Sequence, residues 1–226
     1  VLEGLACVRL GSVIGPWERD TGVRDTLSTH FQLARMASRG ETAVLPQCRE
    51  FGLPFAMMPG VKRGVNPLLK LAGDGVGHCD TATYENLIAA HPDNRFLITA
   101  LARENQYSLC VAARKFRNLH LFGCWWFTNI PFLIEEMTRM RFELLGLTFT
   151  PQHSDARVLD QIIYKWDHSR RIIADVLVDK YTDIATTGWV PTKAEIQRDV
   201  KSLLGGAFSE FLASTKRHAE SADVAI

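Results

Sequence analysis

From Phe55 onward the chain repeats one unit: a short apolar run, a loop, then an amphipathic stretch. This alternation constrains the fold more than any single motif. The apolar runs are Phe55 to Met58, Arg95 to Leu101, Leu119 to Cys124 and Leu147 to Phe149. Strands that alternate with helices at this spacing predict a parallel sheet, because a parallel connection needs a crossover long enough to hold a helix. About four such units are half of the eight that close a (β/α)8 TIM barrel, which takes about 250 residues when whole. The expectation is an α/β chain: residues 1–50 form a partly helical N-terminal segment, 51–212 half of a barrel with extra helices, and 213–226 a polar tail.

Helix signals support the units. The first helix starts at Asp80 or Thr81, either of which can cap it, and Pro92 ends it after Ala90. A second carries Leu109, Ala112, Ala113 and Phe116 on one face. A third runs from about Phe132, with Leu133, Met137, Met140 and Leu144 as a core stripe and Gly146 as its C-terminal cap. The Met137 and Met140 pair is packing at helical spacing. The longest helix spans about Val158 to Val178, with Ile162, Trp166, Ile173 and Val176 among its apolar positions. A last helix, about Thr192 to Leu212, opens on the capping box formed by Thr192 and Glu195. In the first fifty residues, Leu5 to Ile14 reads as a strand and Arg24 to Ala37 as a helix.

With 226 residues, 46% of them apolar, the chain can bury a substantial core. Twenty-six basic against 25 acidic residues give a net charge of +1, which favours neither nucleic acid nor an anionic membrane and leaves a small molecule or a protein as partner. No apolar run reaches the roughly 18 residues of a spanning helix, and no secretory signal precedes the first strand, so a cytoplasmic protein is expected. Five cysteines without a CxxC pair predict reduced thiols rather than disulfides or structural zinc.

In a parallel barrel the chemistry sits just past the strands' C-terminal ends. There the sequence places GVKRGVNP with Lys62 and Arg63, then Arg103, Glu104 and Asn105, then GCWWF from Gly123, and finally QHSDAR from Gln152 to Arg157. Three of these four ends carry a cation, which suits a carboxylate or phosphate, although surface loops are commonly basic. Asp155 can ligate a divalent metal and move a proton while Arg157 neutralises an acidic substrate; equally, Asp155 can cap the long helix that follows. His153 reads as hydrogen-bonded structure or as a ligand. Trp125 and Trp126, at a strand end, would point to opposite sides, so one packs while the other offers an indole to stack a sugar ring; both being core is the alternative.

Taken together, FGCWWF, TRMRFELLG and QHSDARVLDQIIYKW in this order, preceded by GVKRGVNP and HPDNRF, resemble the C-terminal half of the uronate (glucuronate) isomerases, members of the amidohydrolase superfamily of (β/α)8 barrels. The resemblance covers about Phe55 to Leu212. It implies interconversion of an aldohexuronate with a ketohexuronate: D-glucuronate with D-fructuronate, and D-galacturonate with D-tagaturonate. It further implies that Asp155 is a metal ligand and proton shuttle, that Arg157 contacts substrate, and that Trp125, Trp126 and Arg63 line the pocket.

Two departures stand out. The family's first strand carries an HxH metal motif, absent from this chain, and Met58 stands where the fifth strand of many members offers a histidine. A zinc-like divalent site is therefore incomplete here, since such sites need at least three protein ligands. The expectation is part of a uronate isomerase, inactive alone, acting on a hexuronate when joined to a missing N-terminal half or self-associated. The alternative is a non-catalytic half-barrel that dimerises to cover its open edges, serving as a structural or sugar-acid binding module.

Overall fold

The structure, a computed structural model, describes residues 43–156 and 158–214. The strand expected at Leu5 to Ile14 and the helix expected at Arg24 to Ala37 lie outside them. The elements are α1 (Leu45–Glu50), β1 (Phe55–Met57), β2 (Val61–Lys62), β3 (Gly75–Val76), α2 (Thr81–Ala90), β4 (Phe96–Ile98), α3 (Gln106–Lys115), β5 (Leu119–Leu121), α4 (Pro131–Leu145), α5 (Leu159–Ala185), α6 (Lys193–Lys201) and α7 (Ala207–Ala213).

Strands β1, β4 and β5 form a parallel sheet in that order, with Phe55 opposite Phe96 and Phe96 opposite Leu119. The fourth apolar run does not become a strand. It contributes one parallel bridge, Thr150 to Phe122, with Thr150 N donating to Leu121 O at 3.0 Å and Gly123 N to Thr150 O at 2.8 Å. Its Phe149 is instead fully buried, its ring edge-on to Phe142 at 5.4 Å. β2 and β3 make a separate antiparallel ribbon after β1.

One face of the sheet, through Phe55, Phe96, Ile98, Leu119 and Leu121, shares a core with Tyr84 and Ile88 of α2, Leu109 and Ala112 of α3, Leu145 of α4, and Ile173 and Leu177 of α5. Leu45 and Cys48 of α1 join it, and Asn94 Nδ2 ties in the Leu45 carbonyl at 2.7 Å. Alternation turns Ala56, Leu97 and His120, which lie in register, to the other face. There the His120 ring stacks on Phe211 of α7 at 5.0 Å and 29°. Arg95, just ahead of β4, donates to the carbonyls of Gly52 and Leu212. α7 thus sits at the N-terminal end of the sheet.

The helix signals map closely. Asp80 caps α2 through Ala82 N at 3.1 Å, and Gly146 ends α4 with a φ of 61°. The Thr192 and Glu195 capping box is formed in both directions. Met137 is buried in a small cluster with Cys124 and Ile134, as packing requires. The helix expected from Thr192 to Leu212 is broken, however: Leu204 and Gly205 leave helical geometry, Gly205 with φ 132°, and the chain redirects into α7. Gly205 supplies a conformation that side-chain-bearing residues rarely adopt. Among the described residues no helix is long and apolar enough to cross a membrane.

Candidate active site at the C-terminal ends of the parallel strands

Past β5 and past the Thr150 bridge, two segments converge: Gly123-Cys124-Trp125-Trp126 and Gln152-His153-Ser154-Asp155. Their meeting point is Gly123, whose φ is 67°. A Cβ built there would lie 1.8 Å from His153 Cδ2, so only glycine lets the histidine ring approach. The ring also packs on Phe122, with centroids 5.2 Å apart.

The aromatic pair departs from the strand-end expectation. Trp125 and Trp126 do not alternate along a strand; Trp126 opens a 3₁₀ turn ending at Thr128, and its φ is 45°. The two indoles lie 6.4 Å apart at 52°, and Trp126 stacks on Phe127 at 4.4 Å and 16°. Both tryptophans are half-buried and Phe127 is exposed, so the turn presents an aromatic platform rather than one packed and one free indole. The turn is held by Thr128, whose N and Oγ1 donate to Trp125 O at 2.9 and 2.7 Å.

Asp155 is not the cap of the following helix. α5 begins at Leu159 with Val158 as N-cap and no side-chain cap, so the capping explanation for Asp155 falls away. Its φ is 42°, in the left-handed region that non-glycine residues occupy at a cost. Lys165, in the second turn of α5, donates to Ser154 O at 2.8 Å and Asp155 O at 3.3 Å and holds the loop in place. Two of the predicted site residues, Trp126 and Asp155, are thus among the three non-glycine positions with positive φ among the described residues; the third is Lys70. Arg157 lies outside the described residues.

The arginines at the other strand ends are engaged. Arg63 pairs with Asp74, whose Oδ1 also accepts from Gly64 N at 3.0 Å, closing the loop between β2 and β3. Arg103 binds Glu136 of α4 through Nε, 3.0 Å from each carboxylate oxygen. Neither guanidinium is free to meet an anion without releasing its carboxylate. For the implied zinc-like metal, the described residues bring together no group of three His, Cys, Asp or Glu side chains able to hold an ion. Asp155 by itself does not fit such a site.

No protein-family model matches the chain, and neither does any curated protein. Among solved structures, a uronate isomerase from Bacillus halodurans C-125 is 53% identical over 78% of this chain, with a TM-score of 0.75. The chain is a relative of the uronate isomerases. A second such enzyme, from Thermotoga maritima, matches 85% of the chain at 17% identity and a TM-score of 0.65, which speaks to the fold alone. The chain spans 42% and 43% of the lengths of these two proteins.

In this uronate isomerase relative, the residues that build the site's frame were not singled out from sequence. Gln152 is 1% exposed: its Oε1 accepts from Cys124 N and His153 N, each at 3.0 Å, and its Nε2 donates to Asn129 Oδ1 at 3.0 Å and Ser169 Oγ at 2.8 Å. Arg141, 2% exposed, donates to Gly123 O at 2.9 Å and Gln106 Oε1 at 3.3 Å, and Gln106 Nε2 reaches Ala100 O and Ala102 O past β4. A signal for Arg141 existed: it falls on the buried stripe of Ile134, Met137, Thr138 and Leu145, where a charge needs partners. Ser169 likewise interrupts the apolar stripe of α5. Gln152, outside any periodic element, carried no such mark.

Proposed function

We propose that this chain supplies half of the active site of a uronate isomerase, the βα units of a closed (β/α)8 barrel whose remaining units lie outside the described residues. Kinship at 53% identity with the Bacillus halodurans enzyme carries this reading. The convergence of the tryptophan segment and the Asp155 loop at the C-terminal ends of parallel strands supports it.

The reaction would exchange D-glucuronate with D-fructuronate and D-galacturonate with D-tagaturonate. A proton leaves C2 as the aldehyde oxygen O1 gains one, giving an enediol, and C1 then takes a proton as O2 gives up its own; one carboxylate can carry the carbon-bound proton while the hydroxyl proton passes from O2 to O1. Asp155 is assigned that role. Trp125 and Trp126 offer aromatic faces to the sugar, and Arg157 receives the C6 carboxylate in a bidentate pair. Arg63 joins the pocket only by leaving Asp74. A zinc-like divalent metal at Asp155 belongs to the proposal only with ligands from outside the described residues. The four free cysteines among the described residues agree with a reducing, cytoplasmic setting.

A chimera tests this: the matching region of the Bacillus halodurans enzyme is replaced by this chain and ketohexuronate formation is measured. Activity in the chimera, lost on Asp155→Ala, is expected; an inactive but folded chimera counts against the assignment. The isolated chain is expected to be inactive, and robust turnover by it overturns the half-site model.

A second reading, a self-associating half-barrel, draws on the exposed apolar face at the start of α5, where Leu159 is 80% and Ile163 73% exposed. It predicts a dimer; a monomer in sedimentation velocity removes it.

A further inference from the structure

The peptide unit between Gly123 and Cys124 is held at both ends by buried side chains rather than by the sheet. Its carbonyl accepts from Arg141 at 2.9 Å, and its N–H donates to Gln152 at 3.0 Å. This unit leads directly into Trp125. The other end of the aromatic turn is held as well, because Gln152 Nε2 donates to Asn129 Oδ1 at 3.0 Å. One amide therefore brackets Trp125 to Thr128, and through its bonds to His153 N and Ser169 Oγ it anchors that bracket to the Asp155 segment and to α5.

A glutamine offers two donor protons and two acceptor sites on its carbonyl oxygen, and here all four are used at 2.8 to 3.0 Å. Reversing the amide would set its NH2 group against the backbone N–H groups of Cys124 and His153, which can only donate, so the orientation is unique. Being buried, the group cannot exchange these partners for water, and loss of its oxygen strands two amide protons. The turn it brackets includes a residue at φ 45°, a conformation that persists only where the surroundings enforce it.

We propose that Gln152 is a positioning residue: it fixes the presentation of Trp125 and Trp126 to the sugar, with Arg141 as its counterpart on the same peptide. The sugar in that statement rests on the hexuronate reading above; the clamp does not. Gln152 touches no substrate atom and acts through the turn.

The test uses the full chain labelled with 5-fluorotryptophan, its signals assigned by Trp125→Phe and Trp126→Phe, with Trp189, on the segment after α5, as internal control. Gln152→Met keeps the shape and removes the polar atoms. It is expected to shift or broaden the Trp125 and Trp126 signals, leave Trp189 in place, and, carried into the chimera above, weaken D-glucuronate binding about tenfold. Gln152→Glu keeps both acceptor bonds, Ser169 can turn its hydroxyl to donate, and Asn129 can present its Nδ2, a buried group that lacks a partner. That variant is expected to restore the signals and to bind within roughly threefold of the parent.

If Gln152→Met does not fold, Ser169→Ala, which removes one anchor on the α5 side, should produce a smaller shift of the same two signals. Trp125 and Trp126 signals unmoved in Gln152→Met, or in Ser169→Ala where that replaces it, overturn the clamp. A folded chimera, built as above, that fails to bind D-glucuronate while the signals of the chain move as described overturns the hexuronate reading and leaves the clamp standing.

Discussion

Gly123 and His153 are in contact that excludes a side chain: a Cβ on Gly123 would sit 1.8 Å from His153 Cδ2, with the glycine already at φ 67°. The two strand-end loops meet there, so the glycine determines how closely the aromatic segment and the Asp155 segment approach.

Gly123→Ala is therefore expected to be severe. Left-handed backbone costs an alanine about 1–2 kcal/mol, and displacing the histidine ring brings the total to roughly 3 kcal/mol or more. Gly146→Ala is the comparison: its φ is 61°, but nothing lies within 4 Å of the added carbon. It should carry the backbone cost alone, about 1–2 kcal/mol, without the displacement of a ring. Urea unfolding of the two variants measures the difference; equal costs would show that the ring yields freely.

Asp155 combines a proposed catalytic role with a backbone that a glycine would adopt more easily. Asp155→Gly should leave folding stability unchanged or raise it by up to about 1 kcal/mol, while abolishing turnover in the active chimera. Loss of stability comparable to loss of activity would make the residue structural.

His120 is buried against Phe211, with Nε2 2.9 Å from Thr150 Oγ1, and burial, reinforced by the positive charge of Arg141, pushes its pKa down to about 4. The unfolded chain takes up a proton near pH 6.5, whereas the native state resists until about pH 4. Stability from this residue is thus complete above the unfolded pKa and declines as pH falls from about 6.5 towards 4, by on the order of 3 kcal/mol. His120→Gln should flatten that part of the stability profile relative to the parent. Parallel profiles from pH 7 to pH 4 would show that the ring protonates without penalty.

Arg95 joins three parts of the chain by donating to the carbonyls of Gly52, Phe211 and Leu212 from a site 5% exposed to solvent. Arg95→Met leaves those acceptors unpaired and should cost roughly 2–4 kcal/mol. Hydrogen exchange is expected to accelerate first in α7, because that helix loses its attachment to the N-terminal end of the sheet. Uniform acceleration across the chain would contradict this.

The sequence by itself determined the alternation of strand and helix, the capping of α2 by Asp80, the end of α4 at Gly146 and the capping box at Thr192, because each depends on residues within a few positions of one another. Family motifs in GCWWF and QHSDAR marked two segments that the structure brings into contact. Tertiary structure decided the rest. Phe149 went into the core rather than into a full fourth strand, Gly205 broke the last helix so that Phe211 could cover His120, and Asp155 proved to lie ahead of the helix rather than capping it. Gln152 and Arg141 became the frame of the site only because α3, α4 and α5 bring their partners from 17 to 35 positions away. Hydrogen bonds across such separations follow from how helices pack on a sheet, and no local pattern of residues encodes them.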